Sequence, residues 1–237
     1  MKRKLWLSTG LLLLFFGCDN FYMICSLNPY YVEKSIILTP AIEGSWFAKP
    51  AKSIENSSNS ESSKVWALAD TTSTWTIKRF ISKQVVKTRK GQDSTTYKPE
   101  NFYIAKLVSS SDSVIYEFKV VLFTVKNRLY ADFIPNAKED LIKSRLASNS
   151  FFEMHTLARL KINQNKAELS WLGANCMKEM IEKKRVRVNY QYVLQAGRFL
   201  LTASSEDLTR MIERYADQPR FIDWDLQAAR LNFTRLN

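Results

Sequence analysis

From Thr74 onward, apolar and polar side chains alternate with the two-residue period of strands that bury one face. In Thr74 to Phe80, Trp75 and Ile77 fall on one side and Thr76 and Lys78 on the other; Phe102 to Val108 follows, then Val114 to Val125. Within that longest run Tyr116, Phe118, Val120 and Leu122 share a face while Glu117 and Lys119 point away. Lys126-Asn127-Arg128 reads as a tight turn into Leu129 to Ile134, which Pro135 stops. Phe152, Met154, Thr156, Ala158, Leu160 and Ile162 alternate next, Asn163-Gln164-Asn165 turns the chain, and Ala167, Leu169 and Trp171 return as the second arm of a hairpin. Val186 to Leu194 and Phe199 to Thr202 predict two further strands.

Helical spacing occurs in two places. Asn175 is the expected N-cap of a short helix through Met177, Met180 and Ile181. Ser204 caps a longer one, with an acid three residues on and Leu208, Met211, Ile212 and Tyr215 on one stripe. The tail beyond it, with Phe221, Ile222, Trp224 and Leu226, is too apolar to stay in water and is expected to dock on the domain. Six Gly against fourteen Phe, ten Tyr and six Trp agree with half-buried strands rather than Gly-rich phosphate loops. The expected class is therefore all-β, an antiparallel up-and-down barrel with a C-terminal amphipathic helix.

The first 40 residues have a different pattern. Lys2-Arg3-Lys4 precedes a short apolar run from Leu5 to Phe16, the anatomy of a signal peptide and too brief for a permanent span. The run ends in Phe15-Phe16-Gly17-Cys18, which resembles a bacterial lipobox, and Cys18 is the expected lipidation site. This divides the chain into a leader (1–18), a tether (19–40), whose Phe21, Tyr22, Tyr30 and Tyr31 have packing along the domain or at the interface as the alternative to a free tether, and a barrel domain (41–237). The expected location is the bacterial cell envelope, with the protein anchored through N-terminal acyl chains (palmitate among them), in the outer membrane. A net charge of +12 attracts anionic surfaces without choosing among them. Lys49 to Lys64 is a polar, Ser-rich stretch that reads as a long loop, either a plain insertion or a lid over a barrel mouth.

Gly44-Ser45-Trp46 opens the first strand, a long loop and successive antiparallel strands follow, and one helix comes after the last of them. That order resembles the lipocalin and lipocalin-like superfamily. Leu122 to Pro135, His155-Thr156 and Leu201 to Leu208 are similar to a group of uncharacterised Bacteroidetes-type lipoproteins. The resemblance covers most of Ala41 to Phe221. It implies a barrel with Gly44 and Trp46 as its closing motif and an Arg packed over the Trp46 indole, although no particular Arg stands out in the sequence. It brings no activity, catalytic residue or ligand.

Candidate chemistry is sparse. His155 is the single histidine and reads as a structural side chain. No metal-ligand spacing, nucleophile elbow or phosphate loop is present, so no catalytic residue, metal or cofactor is expected. The acidic pairs Glu139-Asp140 and Glu206-Asp207 read as loop and helix-start acids. The basic runs Lys87 to Lys90 and Lys183 to Arg187 read as solvated faces, and nucleic acid is not an expected partner. Two functional readings stay open: a non-enzymatic barrel binding a small apolar or amphipathic ligand, and an envelope interaction or structural module with a packed barrel.

Overall fold

The computed structural model describes residues 24–50, 72–87, 93–109, 115–136, 154–193, 198–215 and 230–236. Its strands are β1 (Cys25–Ser26), β2 (Gly44–Pro50), β3 (Ser73–Lys87), β4 (Asp93–Ser109), β5 (Ile115–Val125), β6 (Arg128–Pro135), β7 (His155–Asn163), β8 (Lys166–Trp171), β9 (Tyr190–Val193), β10 (Arg198–Leu201) and β11 (Arg230–Arg235). Among the described residues two α-helices, α1 (Ala174–Glu182) and α2 (Ser205–Tyr215), accompany the strands.

Strands β2 to β8 pair in sequence order, and β11 joins β8 to β2. The result is a closed, eight-stranded, all-antiparallel barrel. Its turns follow local chemistry: Lys126 (φ 49°) and Asn127 (φ 61°) adopt the left-handed geometry of the tight hairpin between β5 and β6. The registers define two ends. A base carries Gly44, Ile77 and the 126–127 and 164–165 turns; a rim carries Ser73, Pro135, His155 and Trp171.

Two cores lie on either side of the barrel wall. Inside are Trp46, Trp75, Ile77, Leu107, Val120, Leu122, Phe133, Leu160, Trp171 and Phe233, with Ala48, Ala105, Ala131, Ala158 and Ala167 between them. Outside, the alternate positions Phe123, Val125, Tyr130 and Leu157 are buried beneath Ile24, Tyr30, Met177, Ile181, Leu208, Met211 and Ile212. Both faces of the central part of β5 are therefore dry, and the apolar run Val120-Val121-Leu122-Phe123 is buried throughout. α2 supplies the stripe expected of it. Ser204 Oγ accepts the Asp207 N–H at 3.2 Å and lies 3.1 Å from Asp207 Oδ2, a reciprocal cap.

Residues 24–40 correct the expectation of a tether running to Pro40. Ile24 and Tyr30 are fully buried, and Cys25 and Ser26 pair with both β7 and β10. Further on, the Ile37 N–H donates to the Leu122 carbonyl at 2.9 Å where β4 leaves the edge of β5. The segment crosses the outside of the barrel because the Phe123–Tyr130 surface is apolar and needs a cover. The folded unit thus begins by Ile24, while 19–23 fall outside the described residues.

Three smaller differences have local causes. α1 begins at Ala174 with Gly173, not Asn175, at its N-cap. Of the described residues in the Val186 to Leu194 run, Tyr190–Val193 form a strand and Val186 is drawn into the outer core. The docked tail includes β11 and closes the barrel; the sequence places no strand after α2, since six residues with two apolar positions are a weak signal. Phe221, Ile222, Trp224, Leu226 and the Lys49 to Lys64 loop beyond Pro50 lie outside the described residues, as do Cys18 and the 1–18 leader.

Candidate functional site

The base of the barrel is built around Gly44 and Trp46. The chain arrives through a 3-10 turn, Pro40–Ile42, whose N-cap Thr39 accepts the Ala41 N–H at 3.4 Å. Tyr103 fixes the same turn from β4: its hydroxyl accepts the Thr39 N–H at 2.8 Å and donates to the Thr39 carbonyl at 3.2 Å. Burial pushes the Tyr103 phenol above its usual pKa, and the Thr39 hydrogen bond pulls it partly back. Gly44 then has φ +125°, a conformation L side chains rarely adopt, and turns the chain into β2.

Trp46 follows, 1% exposed, with Nε1–H donating to the Ile42 carbonyl at 2.8 Å. The Arg235 guanidinium lies over the indole, 4.5 Å from the ring centroid, and donates to the Ala41 carbonyl at 2.5 Å. Arg235 is the residue that the sequence left unassigned. Its signal is a basic side chain at the third position of an alternating Leu231, Phe233, Arg235 stripe whose first two members face the interior.

Above this plug, aromatic rings bridge the lumen. Trp75 on β3 makes an edge contact with Phe233 of β11 at 5.4 Å between centroids and another with Phe133 of β6 at 6.3 Å. It also stacks on Phe118 of β5 at 6.3 Å, and Phe133 meets Trp171 of β8 at 5.4 Å. These contacts link β3 to β5, β6 and β11 and β6 to β8 across the barrel interior.

His155 sits on the outer side of the wall, 4% exposed, with Nδ1 2.8 Å from Asp132 Oδ2. The same carboxylate oxygen accepts the Tyr30 N–H at 3.4 Å. Burial pushes the Asp132 pKa up, and the His155 hydrogen bond and charge draw it back. Tyr30 is pushed well up, chiefly by burial. Ser26 pairs with His155 in register, but its Oγ donates to the Leu201 carbonyl at 3.4 Å and accepts the Asn28 N–H at 3.1 Å. A serine, a histidine and an aspartate thus lie together beneath the outer core, held by backbone groups. Their hydrogen bonds fasten the N-terminal segment to β6, β7 and β10.

One recess opens beside the base plug. It has a volume of about 790 Å³, with Ile37, Leu129, Leu160 and Ile162 as apolar walls and Arg128, Arg159 and Lys161 around them. No carboxylate lines it. The other candidate groups are dispersed. Glu206 and Asp207 occupy the first turn of α2. Lys183 to Arg185 are exposed after α1, where Lys184 has φ 53°. Glu139-Asp140 and 88–90 are outside the described residues. Among the described residues no group of three His, Cys, Asp or Glu side chains gathers, and no helix is long and apolar enough to cross a membrane.

Comparison of the chain with protein-family models, curated proteins and solved structures gives no match.

Proposed function

We propose that this protein is a non-enzymatic envelope lipoprotein, anchored in the outer membrane through Cys18, whose packed barrel is a scaffold acting through its outer surface. The observation that supports this reading is the aromatic contact set by which Trp75 meets Phe118, Phe133 and Phe233 inside the barrel. The lipocalin-like assignment belongs to the same proposal, supported by Gly44, Trp46 and the Arg235 cation over the indole. A screen with an environment-sensitive hydrophobic dye tests the packed lumen. No saturable binding is expected; dye binding lost on Trp75→Ala or Phe133→Ala, and competed by one ligand class, would overturn the reading. Anchorage is tested separately by metabolic labelling with a fatty-acid probe, which should disappear in Cys18→Ala.

A second reading, a carrier for a small amphipathic ligand, is favoured by the basal recess. Its apolar walls and cationic margin match a body of a few carbons bearing an anionic group. Dye displacement by fatty acids, sensitive to Arg128→Ala and indifferent to changes at Trp75, would support this reading over the first.

A further inference from the structure

β3 and β4 continue well past the barrel. The last residue of β3 paired to β2 is Ile77, and the last of β4 paired to β5 is Tyr103, yet the two strands remain paired with each other out to Lys87 and Asp93. From Ile81 to Lys87 this is a two-stranded ribbon roughly 20 Å long at the usual rise per residue. A ribbon of two strands is marginal in water unless one face is covered. The register slips between Arg79 and Ile81, and at this base Phe80 stacks on Phe102 at 4.9 Å with the Lys119 ammonium 4.9 Å from the Phe102 centroid.

The ribbon is two-sided. Ile81, Lys83 and Val85 share one face with their partners Pro99, Tyr97 and Thr95. On that face Ile81 is 56% exposed, Val85 60% and Tyr97 69%. On the opposite face Ser82, Gln84, Thr96, Lys98 and Glu100 are polar, and Ser82 Oγ donates to Glu100 Oε1 at 2.7 Å and Thr96 Oγ1 to the Gln84 carbonyl at 3.4 Å. Among the described side chains from Lys78 to Glu100 stand Lys78, Arg79, Lys83 and Lys98 against Asp93 and Glu100.

We propose that this ribbon is a membrane-contact arm, which lays its Ile81, Val85 and Tyr97 face on an anionic lipid surface. Lys83 stands among the exposed aliphatic and Tyr side chains and Lys98 adds charge from the opposite face of the thin ribbon, a combination that matches an interface where headgroups are acidic and the layer beneath is apolar. Addition of a partner's strand is disfavoured because Lys83, Lys98 and Pro99 border the ribbon's edges, and Pro99 has no N–H to donate. A soluble polyanion would use the lysines alone and leave Ile81, Val85 and Tyr97 in water. The arm leaves the barrel at the base, whereas Ile24 enters at the rim, where its N–H donates to the Leu172 carbonyl at 3.2 Å. Arm and Ile24 therefore lie at opposite ends of the barrel, and a chain anchored through Cys18, six residues before Ile24, would present the arm to a second membrane surface.

The test reconstitutes the full chain in phosphatidylcholine donor vesicles and adds dense acceptor vesicles of phosphatidylglycerol or phosphatidylcholine. Donor lipid should sediment with the phosphatidylglycerol acceptors alone. Capture should fall about tenfold or more both in K83E/K98E and in I81S/V85S/Y97S. All five side chains are on the ribbon and outside both cores, so far-UV circular dichroism and the melting temperature should stay unchanged. No capture, or capture unaffected by either variant, overturns the proposal. Capture abolished by polyglutamate and by K83E/K98E but indifferent to I81S/V85S/Y97S would also overturn it, in favour of a soluble polyanion. The step depends on anchorage, which flotation of the donor vesicles measures independently. A chain that fails to float refutes the anchor, and the arm is then tested by co-sedimentation of the same chain with phosphatidylglycerol vesicles, with the same two variants deciding.

Discussion

The coupling of Trp46 to Arg235 can be worked out from the base geometry. Trp46→Ala empties an indole-sized space in a side chain 1% exposed, for which the expected loss is about 3 to 5 kcal/mol. The Ile42 carbonyl also loses its Nε1–H partner, a contribution of about 1 kcal/mol within that range. Arg235→Ala removes the cation over the ring and the bond to the Ala41 carbonyl; with Arg235 partly exposed, about 1 to 2 kcal/mol is expected. The two residues touch, so their effects should not add. In a double-mutant cycle the shared part should be about 0.5 to 1 kcal/mol, because Arg235→Ala costs less once the indole has gone. Urea unfolding followed by far-UV circular dichroism, on wild type, both single variants and the double variant, measures all four corners. A loss below about 1 kcal/mol in Trp46→Ala, or a cycle closing additively within about 0.3 kcal/mol, would refute the plug.

Gly44→Ala should cost about 1 to 2 kcal/mol from the φ +125° backbone alone, since the new Cβ meets Arg235 Nη1 at an ordinary 3.5 Å; a neutral change in urea midpoint would show that the turn relaxes freely. His155→Ala should cost about 3 kcal/mol, because it takes the 2.8 Å partner from buried Asp132 and leaves the longer Tyr30 N–H bond; an unchanged midpoint would contradict the role assigned to the pair. The raised Asp132 pKa means that the folded state holds this proton more tightly than the unfolded chain. The contribution of Asp132 is therefore fully present below the ordinary carboxylate range near pH 4 and is lost as pH rises through the raised folded value. Asp132→Asn should consequently gain stability relative to wild type as pH climbs from about 4, and a difference that stays flat or falls in urea titrations at several pH values would reverse the argument. Deleting 230–237 removes β11 and unpairs β8 and β2 together, so the cooperative transition should vanish; retention of a sharp melt would mean that the barrel survives open.

Much of the barrel wall was legible because a strand with one dry face writes its own period into the chain. Trp75 and Ile77, Leu129, Ala131 and Phe133, and Ala167, Leu169 and Trp171 all fall on the interior face that alternation assigns them, or pack against it. Ser204 likewise announced α2 through a cap that needs only neighbouring residues. Local rules failed where burial was supplied from a distance. Phe123 and Val125 stand at positions that alternation gives to solvent, and they are buried because residues 24–31, α1 and α2 return to cover them.

The base shows the same division. Gly44 and Trp46 form a motif within three residues, but Arg235 completes it from nearly the far end of the chain, and only closure of β11 onto β2 brings the cation over the ring. Composition also left the interior undecided, because an aromatic-rich alternating sheet makes either a hollow cup or a solid one. Strand number and stagger bring Trp75 to Phe133 and Phe233, through distances across the barrel that no sequence period records. The period of a strand is a property of its own backbone, and the sequence determined it; what lies on the far side of a wall, or across a lumen, depends on the whole chain having closed.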